Sequence, residues 1–259
     1  MRNRPRPTPA VVLRSAVFAL LMALITPPYA LVAVLVRPGS PMLRYRVITG
    51  WCKLMTWLAW RVCGVRYRVE GREHMPTQPA VILCKHQSAW ETIALQGIFP
   101  PHVYVFKREL LTIPFFGWGL ASLPMIAIDR GAGKGALAQV VEQGRARLQE
   151  GFWVALFPEG TRVAPGKMAR YKIGGAWLAA ETGTPVLPVA HNAGECWPRN
   201  SFLKYPGEVV VSIGPLIRTE GLTADAINEA TQQWIEARMR VLSPHRYREA
   251  QTDNPTLAA

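Results

Sequence analysis

Alternating β-rich and helical stretches from residue 65 onward predict an α/β fold: a largely parallel sheet flanked by helices, preceded by an N-terminal membrane-associated helical segment. Three observations carry that prediction. Seven short runs rich in branched and aromatic residues are separated by stretches long enough for helices. Residues 10–36 contain a single charge, Arg14. Of the 259 residues 49% are apolar, enough for one large core with an appendage.

The apolar segment comes first. A straight helix over residues 10–36 would be about 40 Å long, against a hydrocarbon core of about 30 Å. Pro27 and Pro28 are expected to break it, leaving two pieces too short to span comfortably. Arginines flank both ends (Arg2, Arg4 and Arg6 before, Arg37, Arg44 and Arg46 after), so charge names no outside end. The pattern favours a re-entrant or shallow helical hairpin with both ends cytoplasmic. A kinked single span and a cleaved signal peptide are the alternatives.

Residues 42–63 read as an amphipathic helix. Ile48, Trp51, Met55, Leu58 and Val62 recur at helical spacing, with Arg46, Lys53, Trp57 and Trp60 toward the other side. Tryptophan beside basic residues suits a headgroup interface, and a surface helix whose tryptophans pack on a neighbour is the plainer reading. Residues 1–63 are thus expected as the membrane-associated segment, 64–245 as the α/β domain and 246–259 as a polar tail that frays.

Within the domain the β-like runs are VRYRVEG, AVILCKH, HVYVFKRE, PMIAIDR, FWVALFPEG, PVLPVAHNAG and EVVVSIGPLI. Helices are expected over 88–98, 115–122, 134–149, 171–182 and 223–242. The last opens at Thr223, an N-cap type, with Asp225 in its first turn. The four cysteines, Cys52, Cys63, Cys84 and Cys196, lack zinc-type spacing and suggest no disulfide framework. A net charge of +13 implies attraction to polyanions. The charges are scattered, without a clustered basic helix or an RNA-binding aromatic strand, which argues against nucleic acid.

In a parallel sheet the functional loops gather at the carboxyl ends of the strands. Those ends carry Lys85, His86 and Glu91, then Lys107, Arg108 and Glu109, then Asp129 and Arg130, then Glu159, Thr161 and Arg162. Together they would line one crevice with a histidine, carboxylates and cations, suited to a phosphate-bearing substrate beside a general base. In VILCKHQSAWET, residues 81–92, a histidine in the turn and an acid on the first turns of a helix can meet. Glu91 would accept Nδ1–H of His86 while Nε2 takes a proton. An ordinary strand-to-helix turn with incidental polar residues is the bland alternative. No G-x-S-x-G elbow is present, so the nucleophile would come with the substrate. In FPEGTR, Gly160 permits a tight turn and Arg162 can hold phosphate by two hydrogen bonds; a surface Arg–Glu turn is the competing reading. PFFGWGL, residues 114–120, is either core or the lining of an acyl or membrane-facing slot.

Four blocks in order, KHQSAWE, KRELLTIPFFG followed by AIDR, FPEGTR, and VLPVAHNAG, resemble the glycerolipid acyltransferase family over about residues 65–215. The sequence departs from that pattern at Glu91, where the family has aspartate. The resemblance implies a dyad of His86 and Glu91. It implies Lys107, Arg130 and Arg162 on a substrate phosphate, with Glu159, Gly160 and Thr161 shaping that pocket. It further implies transfer of an acyl chain from acyl-CoA or acyl carrier protein to the 2-hydroxyl of lysophosphatidic acid, without metal or cofactor. The site would lie on the cytoplasmic face of an inner membrane, against an anionic surface. Another lysophospholipid or a lyso-aminolipid as acceptor, a lipid esterase, and a membrane-anchored binding module are the alternatives.

Overall fold

The computed structural model describes residues 7–129, 131 and 133–247. Two long helices lead, α1 (Pro9–Leu35) and α2 (Pro41–Cys63). They are followed by β1 (Val65–Glu70), β2 (Val81–Cys84), α3 (Trp90–Ile98), β3 (His102–Lys107), α4 (Phe116–Ala121) and β4 (Ile126–Ile128). Then come α5 (Lys134–Gln149), β5 (Trp153–Leu156), α6 (Gly174–Thr182), β6 (Val186–His191), α7 (Ala193–Cys196), β7 (Gly207–Ile213), α8 (Ala224–Leu242) and α9 (Pro244–Tyr247).

Among the described residues the strands form one sheet in the order β1-β7-β6-β2-β5-β3-β4. Five neighbours, β6, β2, β5, β3 and β4, run parallel; β7 is antiparallel to β6, and β1 is parallel to β7. The central strands are covered on both faces, which is why β2 and β6 read as unbroken apolar runs rather than alternating ones. Edge strand β1 instead exposes Arg66, Tyr67 and Arg68, and Arg68 pairs across to Glu208 at 2.9 Å. The expected fold class is the observed one, and α3, α4, α5, α6 and α8 fall inside the stretches expected to be helical.

Helix α1 departs from expectation. It crosses Pro27 and Pro28 without a break, and the chain reverses only at residues 36–40. Each proline removes one donor and leaves a carbonyl in the preceding turn unpaired, but α2 packs along the whole length and holds the helical path. Tyr29 donates to the Val47 carbonyl at 3.0 Å, Trp51 Nε1 to Thr26 Oγ1 at 3.2 Å, and the Cys63 thiol approaches the Arg14 carbonyl at 3.6 Å. Those pairs fix an antiparallel register. The hairpin is therefore α1 against α2, not a fold within residues 10–36. Thr8 and Ser40 cap the two N-termini, and Gly64, in the left-handed region at φ 72°, ends α2.

On α2 the face of Ile48, Met55 and Leu58 is buried, while Trp57 and Trp60 stay exposed with the Arg61 guanidinium over both rings. Helix α1 has a mean hydropathy of 2.2 over its most apolar 18 residues, of which only 17% are buried, and it is long and apolar enough to cross a membrane.

Candidate active site

Strand β2 ends at Cys84, and the five residues before α3 carry the site. Glu91, in the first turn of α3, is fully buried and turned back toward the strand end. Its Oε1 accepts the N–H groups of Gln87 at 2.9 Å and Ser88 at 2.8 Å, and lies 2.8 Å from His86 Nδ1. Ser88 Oγ in turn accepts the Trp90 N–H at 3.0 Å, anchoring the helix start. Burial alone would raise the Glu91 carboxyl; the neighbouring His191 and His86, with the N–H donors, outweigh it and hold Glu91 below the usual carboxylate range. An ionised Glu91 places the proton on Nδ1 and leaves Nε2 as the basic nitrogen. The His86 ring stacks on Phe157, 4.1 Å between centroids and 19° from parallel, with 14% of the side chain exposed.

His191, at the end of β6, is fully buried. Its Nε2–H donates to the Lys85 carbonyl at 2.7 Å and its Nδ1 accepts the Ala193 N–H at 3.2 Å. Burial lowers its pKa, opposed by the Glu91 carboxylate, and it braces the strand end.

The FPEGTR turn follows β5. Val163 donates its N–H to the His86 carbonyl at 2.7 Å, tying this turn to the histidine. Gly160 sits at φ 67°, a left-handed conformation that disfavours a side chain, and an added Cβ there would come within 2.8 Å of Lys172.

His86 opens into a cavity of about 620 Å³. One part of its lining is polar: Lys107, Gly160, Thr161, Arg162, Arg199 and Asn200. The rest is largely apolar and formed by α1, α2, α3, α4 and β3, including Ala30, Ala33, Ile48, Phe106, Phe115 and Leu120. An exposed lip of Leu110, Ile113, Phe115, Phe116 and Trp118 flanks it.

Of the expected site residues, the structure brings together His86 and Glu91, and puts Lys107, Gly160, Thr161 and Arg162 on the cavity. Lys107 also pairs with Glu109 at 2.9 Å, both half-exposed. Arg130 lies outside the described residues. Two expectations need correction. Glu159 does not face the cavity: it is buried, with Oε2 accepting the His86 N–H at 2.7 Å and Oε1 2.7 Å from the Lys85 ammonium. Lys85 is likewise absent from the crevice, its ammonium fully buried between Glu159 and Glu236. Arg199 and Asn200 were missed, because they sit between β6 and β7 with no motif around them. Arg199 reaches the site by donating to the Arg162 carbonyl at 2.5 Å. Phe157 was passed over as the last residue of an apolar run.

A carboxylate-oriented histidine at parallel strand ends, opening on a cavity lined by cations and by a larger apolar surface, is a site suited to proteins that move acyl groups. Comparison with known proteins agrees. A sequence model of the family described as Acyltransferase matches residues 66–192. The chain is 46% identical over 237 residues, 90% of its own length and 92% of the relative's, to the 1-acyl-sn-glycerol-3-phosphate acyltransferase of Pseudomonas aeruginosa. It is 32% identical to 1-acyl-sn-glycerol-3-phosphate acyltransferase alpha of Mus musculus, over 63% of this chain and 59% of that protein. Among solved structures, the 1-acyl-sn-glycerophosphate acyltransferase PlsC of Thermotoga maritima shares the fold with a TM-score of 0.75 at 21% identity, covering 90% of this chain and 96% of that one. The chain belongs to the acyltransferase family.

Proposed function

We propose that this enzyme transfers an acyl chain from acyl-CoA or acyl carrier protein to the 2-hydroxyl of lysophosphatidic acid, giving phosphatidic acid. The observation that supports this best is the His86–Glu91 pair opening onto a cavity whose lining joins the cations Lys107, Arg162 and Arg199 to a larger apolar surface. The acceptor's hydroxyl gives its proton to His86 Nε2 as its oxygen attacks the thioester carbonyl. The Nδ1–H to Glu91 bond holds the tautomer and stabilises the imidazolium. The tetrahedral intermediate collapses, the C–S bond breaks, and the imidazolium proton goes to the departing thiolate. The protein supplies no nucleophile of its own, and the chemistry needs no metal.

Lys107, Arg130 and Arg162 are assigned to the acceptor's phosphate, and Arg199 joins them on the strength of its place in the cavity lining. Guanidinium groups suit that role because a planar fork matches phosphate oxygens in pairs. The apolar body of the cavity takes an acyl chain. Its wall includes the membrane helix itself, so the bilayer substrate needs little transfer through water. Helix α1 is read as lying in the inner membrane, with Trp57, Trp60 and Arg61 of α2 at an anionic headgroup layer and the catalytic domain on the cytoplasmic face.

The test is acyl transfer by purified protein in vesicles across a panel of lyso-acceptors and both donor types. Lysophosphatidic acid should give the highest kcat/KM. A lyso-aminolipid or a lysophospholipid with a capped phosphate doing better would overturn the acceptor assignment.

A further inference from the structure

The reaction as proposed leaves the buried charges beneath the site without a role. Lys85 immediately precedes the histidine, and its ammonium lies 2.7 Å from Glu159 and 2.7 Å from Glu236, with no exposed surface. Glu236 comes from α8, far along the chain, and also accepts the Tyr171 hydroxyl at 3.0 Å. Glu159 spends its other oxygen on the His86 N–H. The Lys85 carbonyl receives His191 Nε2–H. The Lys85–His86 peptide is thus held at both ends, its carbonyl by His191 and its N–H by Glu159, and Glu159 is in turn paired with the buried ammonium.

We infer that Lys85, Glu159 and Glu236 form an ion triad that positions the histidine: the ammonium holds the Glu159 carboxylate in place, and that carboxylate holds the His86 backbone so that its ring meets Glu91. The triad makes α8 part of the active-site scaffold. Lys85 and Glu236 touch no substrate; they act through Glu159. A neutral Glu159 would offer its remaining oxygen a weaker acceptor role, because a hydrogen bond to an ionised carboxylate is roughly twice as strong as a neutral one.

The titratable groups around Glu159 are Cys84 at the end of β2, Lys85 and His86 in the turn after it, Glu236 from α8, Tyr171 ahead of α6 and Tyr247 from α9. Burial raises the Glu159 carboxyl, Lys85 opposes that rise, and Glu236 adds to it. Without the ammonium, the Glu159 carboxyl should therefore titrate at a higher pH than in the intact protein.

The inference rests on His86 being the base, which a His86→Ala control reads separately. Lys85→Met strands two buried carboxylates and can fail to fold for that reason alone. The decisive variant is Lys85→Met/Glu236→Leu, which removes the cation together with one carboxylate and fills the volume with apolar groups. Folded protein should show kcat lowered about 10–100-fold, in line with a small misplacement of a catalytic group, with both KM values little changed. Its rate should also gain a new limb, rising with pH as Glu159 ionises. Adding Glu159→Gln, which accepts the His86 N–H but cannot titrate, should erase that limb. A double variant with the wild-type pH profile, or a new limb that survives Glu159→Gln, overturns the inference. Activity retained in His86→Ala would instead overturn the choice of base.

Discussion

Helix α1 and strand β2 are both built of nearly uninterrupted apolar residues, and the fold treats them in opposite ways. All four residues of β2 are wholly buried, whereas Leu13, Leu20, Leu24, Leu31 and Leu35 of α1 are 59–69% exposed. A leucine gains about 1.5–3 kcal/mol on full burial; β2 gains that within the protein, whereas the exposed leucines of α1 would gain it only in a bilayer, where the proposed function puts them. The site lies where the two meet: the polar residues at the end of β2 open into a cavity that α1 helps to wall.

If this division is right, changes at the end of β2 should alter turnover, and changes on the outer face of α1 should alter location. The largest effect belongs to His86→Ala, which should lower kcat about 10²–10⁴-fold as a positioned base is lost, in protein whose circular dichroism and melting are unchanged. Glu91→Gln should approach that loss, because the amide removes the charge that stabilises the imidazolium and can favour the wrong tautomer. Glu91→Asp should retain much more, and equal behaviour of the two variants would remove residue 91 from the dyad.

Arg162→Ala should come next, lowering kcat/KM for lysophosphatidic acid by about 10–150-fold, the worth of one charge-assisted hydrogen bond. The donor's KM should barely move, Arg162→Lys should recover only part of the loss, and a neutral monoacylglycerol acceptor should lose almost nothing more. A rise in the donor's KM instead would assign the arginine to the donor.

On the other side of the comparison, Leu20→Lys/Leu24→Lys puts two charges on the exposed face of α1, each costing about 2.5–3.5 kcal/mol near mid-bilayer. Membrane fractions washed with salt and carbonate should release more of this variant than of wild type, while α2 retains part of it. Deleting α1 outright is the blunter experiment, because it also removes cavity wall.

The smallest effect expected is on acid stability. His102, fully buried in β3, has its pKa pushed down to about 4 by burial, partly opposed by the Pro100 carbonyl. Between pH 6.5 and 4 the unfolded chain therefore binds the proton and the folded chain does not. Stability from this group is full above about pH 6.5 and falls as the pH drops toward 4. His102→Asn should flatten that acid slope by a few degrees of melting temperature, and an unchanged slope would show that other groups carry it.

The elements were legible in the sequence because each strand is a local apolar run and each helix a local period. Their assembly was not: β1 and β7 run against the other five strands, a fact no local pattern states. The expected break in α1 misjudged Pro27 and Pro28, since a partner helix packed along both sides of the pair holds the path that isolated propensity denies. At the site, His86 and Glu91 were legible because they sit five residues apart across one strand-to-helix turn. The direction in which Glu159 points was not, because it is set by Lys85 and by Glu236, 77 residues further along the chain. Arg199 was invisible for the same reason: its place depends on a long connection and not on a motif.

If the histidine activates a hydroxyl brought by the lipid, and not water or a side chain of the enzyme, no thiol should leave the donor until the acceptor is present. Rapid mixing of purified protein with acyl-CoA alone, followed by addition of lysophosphatidic acid, tests it most directly with thiol release as the readout. Neither a burst nor steady release is expected before the acceptor arrives, after which thiol and diacyl product should form one for one. A burst matching the enzyme concentration would reveal an acyl-enzyme, and continuous release without acceptor would reveal a thioesterase; either result would contradict the account.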